Sequence, residues 1–140
     1  MIELRGNLFG NPYVYDKSTR IVNCISSDYT VKSGFASEIE RRYMIKGYLK
    51  MVGKGIYPDV IAVDNIINMI TKNKYWDKTT YHDFDRALTM VKDYCVEHDI
   101  SKLLMPRLGT ESDNMDWGYC REGIKYLIEA YDIECTVYSK

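Results

Sequence analysis

Short unbroken apolar runs alternate along the chain with stretches whose apolar positions recur at helical spacing. Ile2 to Arg5 reads as a first strand ended by Gly6, and Asn7 to Pro12 carries turn chemistry around Gly10 and Pro12. Ile21, Val22, Cys24 and Ile25 form a nearly continuous apolar run, the pattern of a strand buried on both faces. The chain turns polar over Ser26, Ser27, Asp28, Tyr29 and Thr30, then passes Ser33 and Gly34 into a helix. There Phe35, Ile39 and Tyr43 share one face, and Glu38 and Arg42 pair at i, i+4 on another. The helical pattern continues or restarts from Met44 to Met51 and stops at Gly53 and Gly55.

Asp59 to Ala62 and Asn65 to Thr71 read as adjacent strands joined tightly at Asp64 and Asn65. After the polar loop Lys72 to Lys78, Thr79 or Thr80 can cap a long helix whose apolar stripe is Phe84, Ala87, Leu88, Val91 and Cys95. Lys102 to Pro106 is a short buried strand running into the polar loop Arg107 to Asp116. Asp116 can cap the last helix, with Trp117, Cys120, Ile124, Leu127, Ile128 and Tyr131 at helical spacing, and Ile133 to Tyr138 closes as a strand. Alternating strands and helices predict an α/β layered fold with a largely parallel sheet. With no repeat, low-complexity stretch or linker, residues 1–140 read as one domain.

The strand, small-residue turn and helix over Ile21 to Tyr43 aim free backbone N–H groups and a positive helix end at one spot, which suits an anion such as phosphate. Composition narrows the partners. A net charge of -1 argues against a duplex nucleic-acid surface built on phosphate neutralisation, while leaving room for a basic pocket around one nucleotide. Cys24, Cys95, Cys120 and Cys135 show no C-x-x-C spacing and sit in apolar patterns, so they are expected as buried thiols. Neither His82 nor His98 has a ligand-spaced partner, and no metal site is expected. No N-terminal apolar signal and no run near the roughly 20 residues that span a bilayer occur, which predicts a cytoplasmic protein without a membrane partner.

In an open parallel sheet the loops after the strands gather at one edge, where ligands bind. The segments that would meet there resemble, in order, the macrodomain family, the ADP-ribose-binding fold, and within it the branch of the terminal ADP-ribose protein glycohydrolase. They are Gly6-Asn7-Leu8-Phe9, Cys24-Ile25-Ser26-Ser27-Asp28, Ser33-Gly34-Phe35-Ala36, Ile70-Thr71-Lys72, Lys78-Thr79-Thr80-Tyr81 and Met105-Pro106-Arg107-Leu108-Gly109, followed by Asp113, Trp117 and Thr136-Val137-Tyr138. No single segment is specific; the ordered set is. The resemblance implies a three-layer fold, a mixed, mostly parallel sheet of about six strands with helices on both faces.

It also implies roles. Asn7, with Leu8, stands where the family usually has an aspartate that accepts a hydrogen bond from the adenine amine, and an amide oxygen can still accept that bond. Ser26 and Asp28 match the loop bordering the distal ribose. Ser33, Gly34, Phe35 and Ala36 match the diphosphate turn, and Leu108, Gly109 and Thr110 the second loop around the phosphates. Lys72 and Asp113 match the two residues that the glycohydrolase branch uses for chemistry. Lys32 departs from the small residue usual there; it can reach a phosphate, obstruct the distal ribose or point to solvent.

The implied activity is binding of ADP-ribose and hydrolysis of an ADP-ribose derivative, first of all its removal from acidic protein side chains, with no cofactor. ADP-ribose-1″-phosphate hydrolysis and non-catalytic capture of ADP-ribose or a related nucleotide are the alternatives. Taken without the resemblance, Lys72 is an ordinary strand-end lysine, Asp113 a turn former and Asp28 an Asx-turn residue.

Overall fold

The computed structural model describes residues 1–140. Its strands are β1 (Ile2–Arg5), β2 (Thr19–Ser26), β3 (Asp59–Val63), β4 (Ile66–Lys72), β5 (Lys102–Pro106) and β6 (Glu134–Ser139). Its helices are α1 (Gly34–Tyr43), α2 (Lys46–Val52), α3 (Tyr81–Glu97) and α4 (Trp117–Leu127), with 3₁₀ turns at Leu8–Gly10 and Glu129–Tyr131. The strands form one sheet in the order β1-β6-β5-β2-β4-β3, parallel throughout except for the antiparallel β3–β4 hairpin.

Period-two alternation in the strands sorts the core into two layers. Val22, Ile67, Met69, Leu103, Met105 and Val137 pack under the apolar stripes of α3 and α4. On the other face, Ile21, Ile25, Ile66, Ile70 and Leu104 pack with Ile39 of α1 and Leu49 of α2. Phe84 is fully buried in the first layer, which stabilises the fold by about 1.5–3 kcal/mol for that side chain. The continuous apolar run of β2 thus serves both layers, as expected of a strand covered on both faces.

Two helical readings are sharpened. The pattern from Phe35 to Met51 restarts rather than continues, because Met44 adopts a left-handed conformation (φ 50°) and ends α1. The Glu40 carboxylate then accepts from the Lys46 N–H at 3.1 Å and opens α2. At the far end, α4 stops at Leu127, so Tyr131 falls in the following 3₁₀ turn and is exposed instead of continuing the apolar face. No helix is long and apolar enough to cross a membrane.

Candidate active site

Parallel strands deliver their outgoing loops to one edge of the sheet. After β2 the chain goes on to the β4–β3 side, and after β5 it turns the other way to β6, which slots between β5 and the first strand β1. A crevice therefore opens between the ends of the neighbouring strands β2 and β5. Its deep part, about 70 Å³, is lined by Asn23 and Cys24 of β2, Ser33, Phe35 and Ala36 at the head of α1, and most of the Pro106 to Asp113 loop. Phe35, Arg107 and Glu111 also line an outer groove of about 700 Å³ with Asn7, Leu8, Phe9, Gly34, Arg41, Thr110 and Tyr138. That volume falls in the range of small-molecule sites, roughly 300–1,000 Å³.

At the head of α1 the backbone is open. Thr80 closes the start of α3 by accepting from the Asp83 N–H, and Asp116 closes α4 by accepting from the Tyr119 N–H. Ser33, the residue preceding α1, makes no such bond, and Gly34 follows with φ 70°. The Phe35 N–H is instead met from across the crevice by both carboxylate oxygens of Glu111, each at 3.3 Å. A Cβ at position 34 would meet only the movable end of the exposed Glu111 side chain, so it is the left-handed φ, more than space, that calls for glycine there. Glu111 was not among the residues expected at the site. The signal available was an acidic side chain inside a loop expected to wrap phosphates.

Asn23, also unexpected, is 2% exposed. Its amide N–H donates to Asn68 Oδ1 at 3.0 Å, and Asn68 donates in turn to the Ile61 carbonyl at 3.0 Å. That relay sets the orientation of both amides and leaves Oδ1 of Asn23, a residue of the crevice lining, buried without a donor.

Toward β4 the site is a closed network. Lys72 Nζ lies 2.9 Å from Asp113 Oδ1, the two side chains being 7% and 6% exposed, and 3.4 Å from Ser112 Oγ. Asp113 is held from the other side by the Thr79 N–H (3.0 Å) and Thr79 hydroxyl (2.9 Å), and Thr79 is bonded to Thr71 at 2.8 Å. The β2–β4 register slips between Ile25 and Ser26, leaving Thr71 unmatched just where Lys72 leaves the sheet. Lys78 Nζ donates to the Ser112 carbonyl and ties the two loops further.

The remaining expected residues divide. Ala36, Leu108 and Gly109 line the deep crevice, and Asn7, Leu8 and Thr110 the outer groove. Asn7 Oδ1 already accepts from the Phe9 N–H at 3.0 Å, which leaves one lone pair for a ligand. Thr110 donates its hydroxyl to the Arg107 carbonyl at 2.7 Å and so braces the loop. Gly109 has φ 84° and is backed by Met115, Cys120 and Phe84, which presses the loop onto the core.

Ser26, Asp28 and Lys32 line neither part. Ser26 donates to Asp28 Oδ1 at 2.5 Å, the Thr30 N–H to the same oxygen at 3.1 Å, and the Tyr75 N–H to Oδ2 at 3.2 Å. Burial pushes the Asp28 carboxyl upward, but these bonds outweigh it and hold the group below its ordinary value. Asp28 therefore clasps the β2–α1 loop to the β4–α3 loop. Of the three directions open to Lys32, the side chain takes none toward the crevice and lies over the Tyr75 ring, 5.3 Å from its centroid. All four cysteines are unpaired; Cys95, Cys120 and Cys135 are buried as expected, whereas Cys24 is half-buried because it reaches the crevice lining. Desolvation still pushes the Cys24 thiol up to about 12, so it stays protonated and does not rival Lys72 as a nucleophile.

No family model matches the chain. Two curated relatives, the ADP-ribose glycohydrolase OARD1 of Homo sapiens and that of Bos taurus, are each 29% identical over 139 residues, covering 97% of this chain and 89% of theirs. Among solved structures, the macrodomain of Thermus aquaticus DarG superposes with a TM-score of 0.77 at 20% identity, covering 99% of this chain and 97% of that one. The macrodomain of Mycobacterium tuberculosis DarG gives 0.72 at 21% identity, covering 99% and 98%. Thermosipho africanus DarTG in complex with ADP-ribose gives 0.66 at 15% identity over 87% of this chain and 38% of that one. With this sheet order, and with such structural neighbours along nearly its whole length, the chain has the macrodomain fold.

Proposed function

We propose that this macrodomain binds ADP-ribose and removes it from acidic protein side chains. The observation that carries the reading is the buried Lys72–Asp113 pair at 2.9 Å, set at one end of a crevice whose other end is an uncapped helix N-terminus. A diphosphate needs N–H donors and positive potential, which the head of α1 supplies. The aromatic side chains of Phe9 and Phe35, stacked with centroids 5.9 Å apart, give the outer groove an apolar wall for a purine. With the nucleoside there and the phosphates over α1, the distal ribose extends toward Asp113.

An ammonium is no nucleophile, so Lys72 first passes a proton to Asp113 along their hydrogen bond. The amine attacks the anomeric carbon of the ADP-ribosyl ester. A carbon–nitrogen bond forms, the carbon–oxygen bond to the protein carboxylate breaks, and the carboxylate leaves as an anion. Opening of the sugar ring gives an imine on Lys72, and water hydrolyses it to release ADP-ribose and restore the amine. The Thr79 bonds keep Asp113 in place while its charge changes. The relatives named as ADP-ribose glycohydrolases support the same chemical class.

The test is Lys72→Ala assayed on a protein mono-ADP-ribosylated at glutamate and, in parallel, on ADP-ribose-1″-phosphate. Release from glutamate should fall to background. ADP-ribose should still stabilise the variant, by about 2.7 kcal/mol at 100 times its dissociation constant. Undiminished release would overturn the lysine mechanism, and absence of any ADP-ribose stabilisation of the parent protein would overturn the ligand.

A further inference from the structure

We infer that Glu111 is a built-in competitor for the diphosphate subsite, so that any ligand placing a phosphate on the head of α1 must first displace this carboxylate. The inference rests on the ADP-ribose reading for the identity of the ligand, though not for the contact itself. Both Glu111 oxygens take the Phe35 N–H at 3.3 Å, and in doing so they stand where phosphate oxygens would stand. The bare Gly34 lets the carboxylate sit directly against the helix start, at a point where a Cβ would push it aside. Ser33 leaves the helix end without a cap of its own, so the N–H takes its acceptor from outside the helix, Glu111 in this structure or a competing anion.

A second, independent feature marks the same crevice as a ligand site rather than a loop contact. Asn23 lines the same crevice as Glu111, and its buried Oδ1 has no partner within the protein, an acceptor whose lone pairs a donor such as a sugar hydroxyl would satisfy. The Glu111 contact is built to open. Glu111 is exposed and both hydrogen bonds are long, unlike the Lys72–Asp113 pair deeper in. Arg41 and Arg107 line the groove beside it, so a displaced carboxylate has cations to move toward. Two anions cannot share one N–H, and left undisplaced beside a diphosphate the carboxylate repels it.

Glu111→Gln removes the charge, and Glu111→Ala removes the competitor altogether. Binding of ADP-ribose, ADP and adenosine to the full chain is measured by calorimetry, with the Phe35 amide followed by nuclear magnetic resonance. Both substitutions should move the Phe35 resonance. They should tighten ADP and ADP-ribose by about tenfold or more, the scale of a relieved like-charge contact, and leave adenosine unchanged. The gain should shrink as salt rises. Equal affinities of parent and variants for the diphosphates would overturn the competitor and leave the ADP-ribose reading standing. An equal gain for adenosine would also overturn it, because the effect would not then be local to the phosphates. Tightened ADP with no binding of ADP-ribose would sustain the competitor and overturn the ADP-ribose reading.

Discussion

The two ends of the crevice are built on opposite plans. At the β4 end every polar group has a partner: Lys72 on Asp113, Asp113 on Thr79, Thr79 on Thr71. At the α1 end the helix start has no cap from its own segment and borrows a carboxylate from another loop at 3.3 Å. Reacting groups must be held still in a dry, satisfied network, because a buried unpaired charge is expensive. A binding subsite for an anion has the reverse need: its donors must be vacated when the ligand comes. The difference shows which part of the site is preassembled and which is traded on binding.

The strongest way to break the comparison is to unpair the closed end. Asp113→Ala strands the Lys72 ammonium in a nearly buried position, and unfolding in urea should show a loss of about 3–5 kcal/mol. Release of ADP-ribose from glutamate should fall by about 10²–10⁴-fold with the loss of the proton acceptor. Adding Lys72→Met to that background should return much of the stability and none of the activity, separating the structural from the chemical role.

A smaller effect contrasts the helix ends. Thr80→Ala removes a working cap from α3 and should cost about 1 kcal/mol in urea unfolding. Ser33→Ala removes a side chain that caps nothing and should fall within about 0.5 kcal/mol of the parent. Equal losses would mean that the Ser33 side chain caps α1 in solution, contrary to its geometry.

The smallest effect concerns the clasp beside the site. The folded value of Asp28 lies below its ordinary 3.8, so its contribution is present above that pH and lost as pH falls through the depressed value. Asp28→Asn should therefore lower the melting temperature at neutral pH and flatten its decline on acidification. Identical acid limbs would show that Asp28 is not the titrating clasp.

Much of this fold is legible residue by residue. The double-faced apolar run at Ile21 to Ile25 marks a central strand, and Thr80 and Asp116 mark helix starts because capping is a local hydrogen bond. The break at Met44 was less legible, since a left-handed methionine is set by how α1 and α2 must both reach the sheet. Lys72 and Asp113 were legible only as members of an ordered set of motifs. Their contact spans 41 positions of sequence, and neither residue type in its own loop implies it. Glu111 and Asn23 were missed because their meaning lies in what they face.

By itself the sequence determined the alternation of strands and helices, the buried faces and the caps, since these follow from periodicity and from bonds within a few residues. Only the tertiary structure decided that Lys32 turns to Tyr75, that Asp28 binds loops together, and that Glu111 closes the head of α1. Those outcomes depend on which loops the sheet order brings to one edge. A charged side chain of several rotatable bonds takes its partner from that edge, not from its neighbours in the chain.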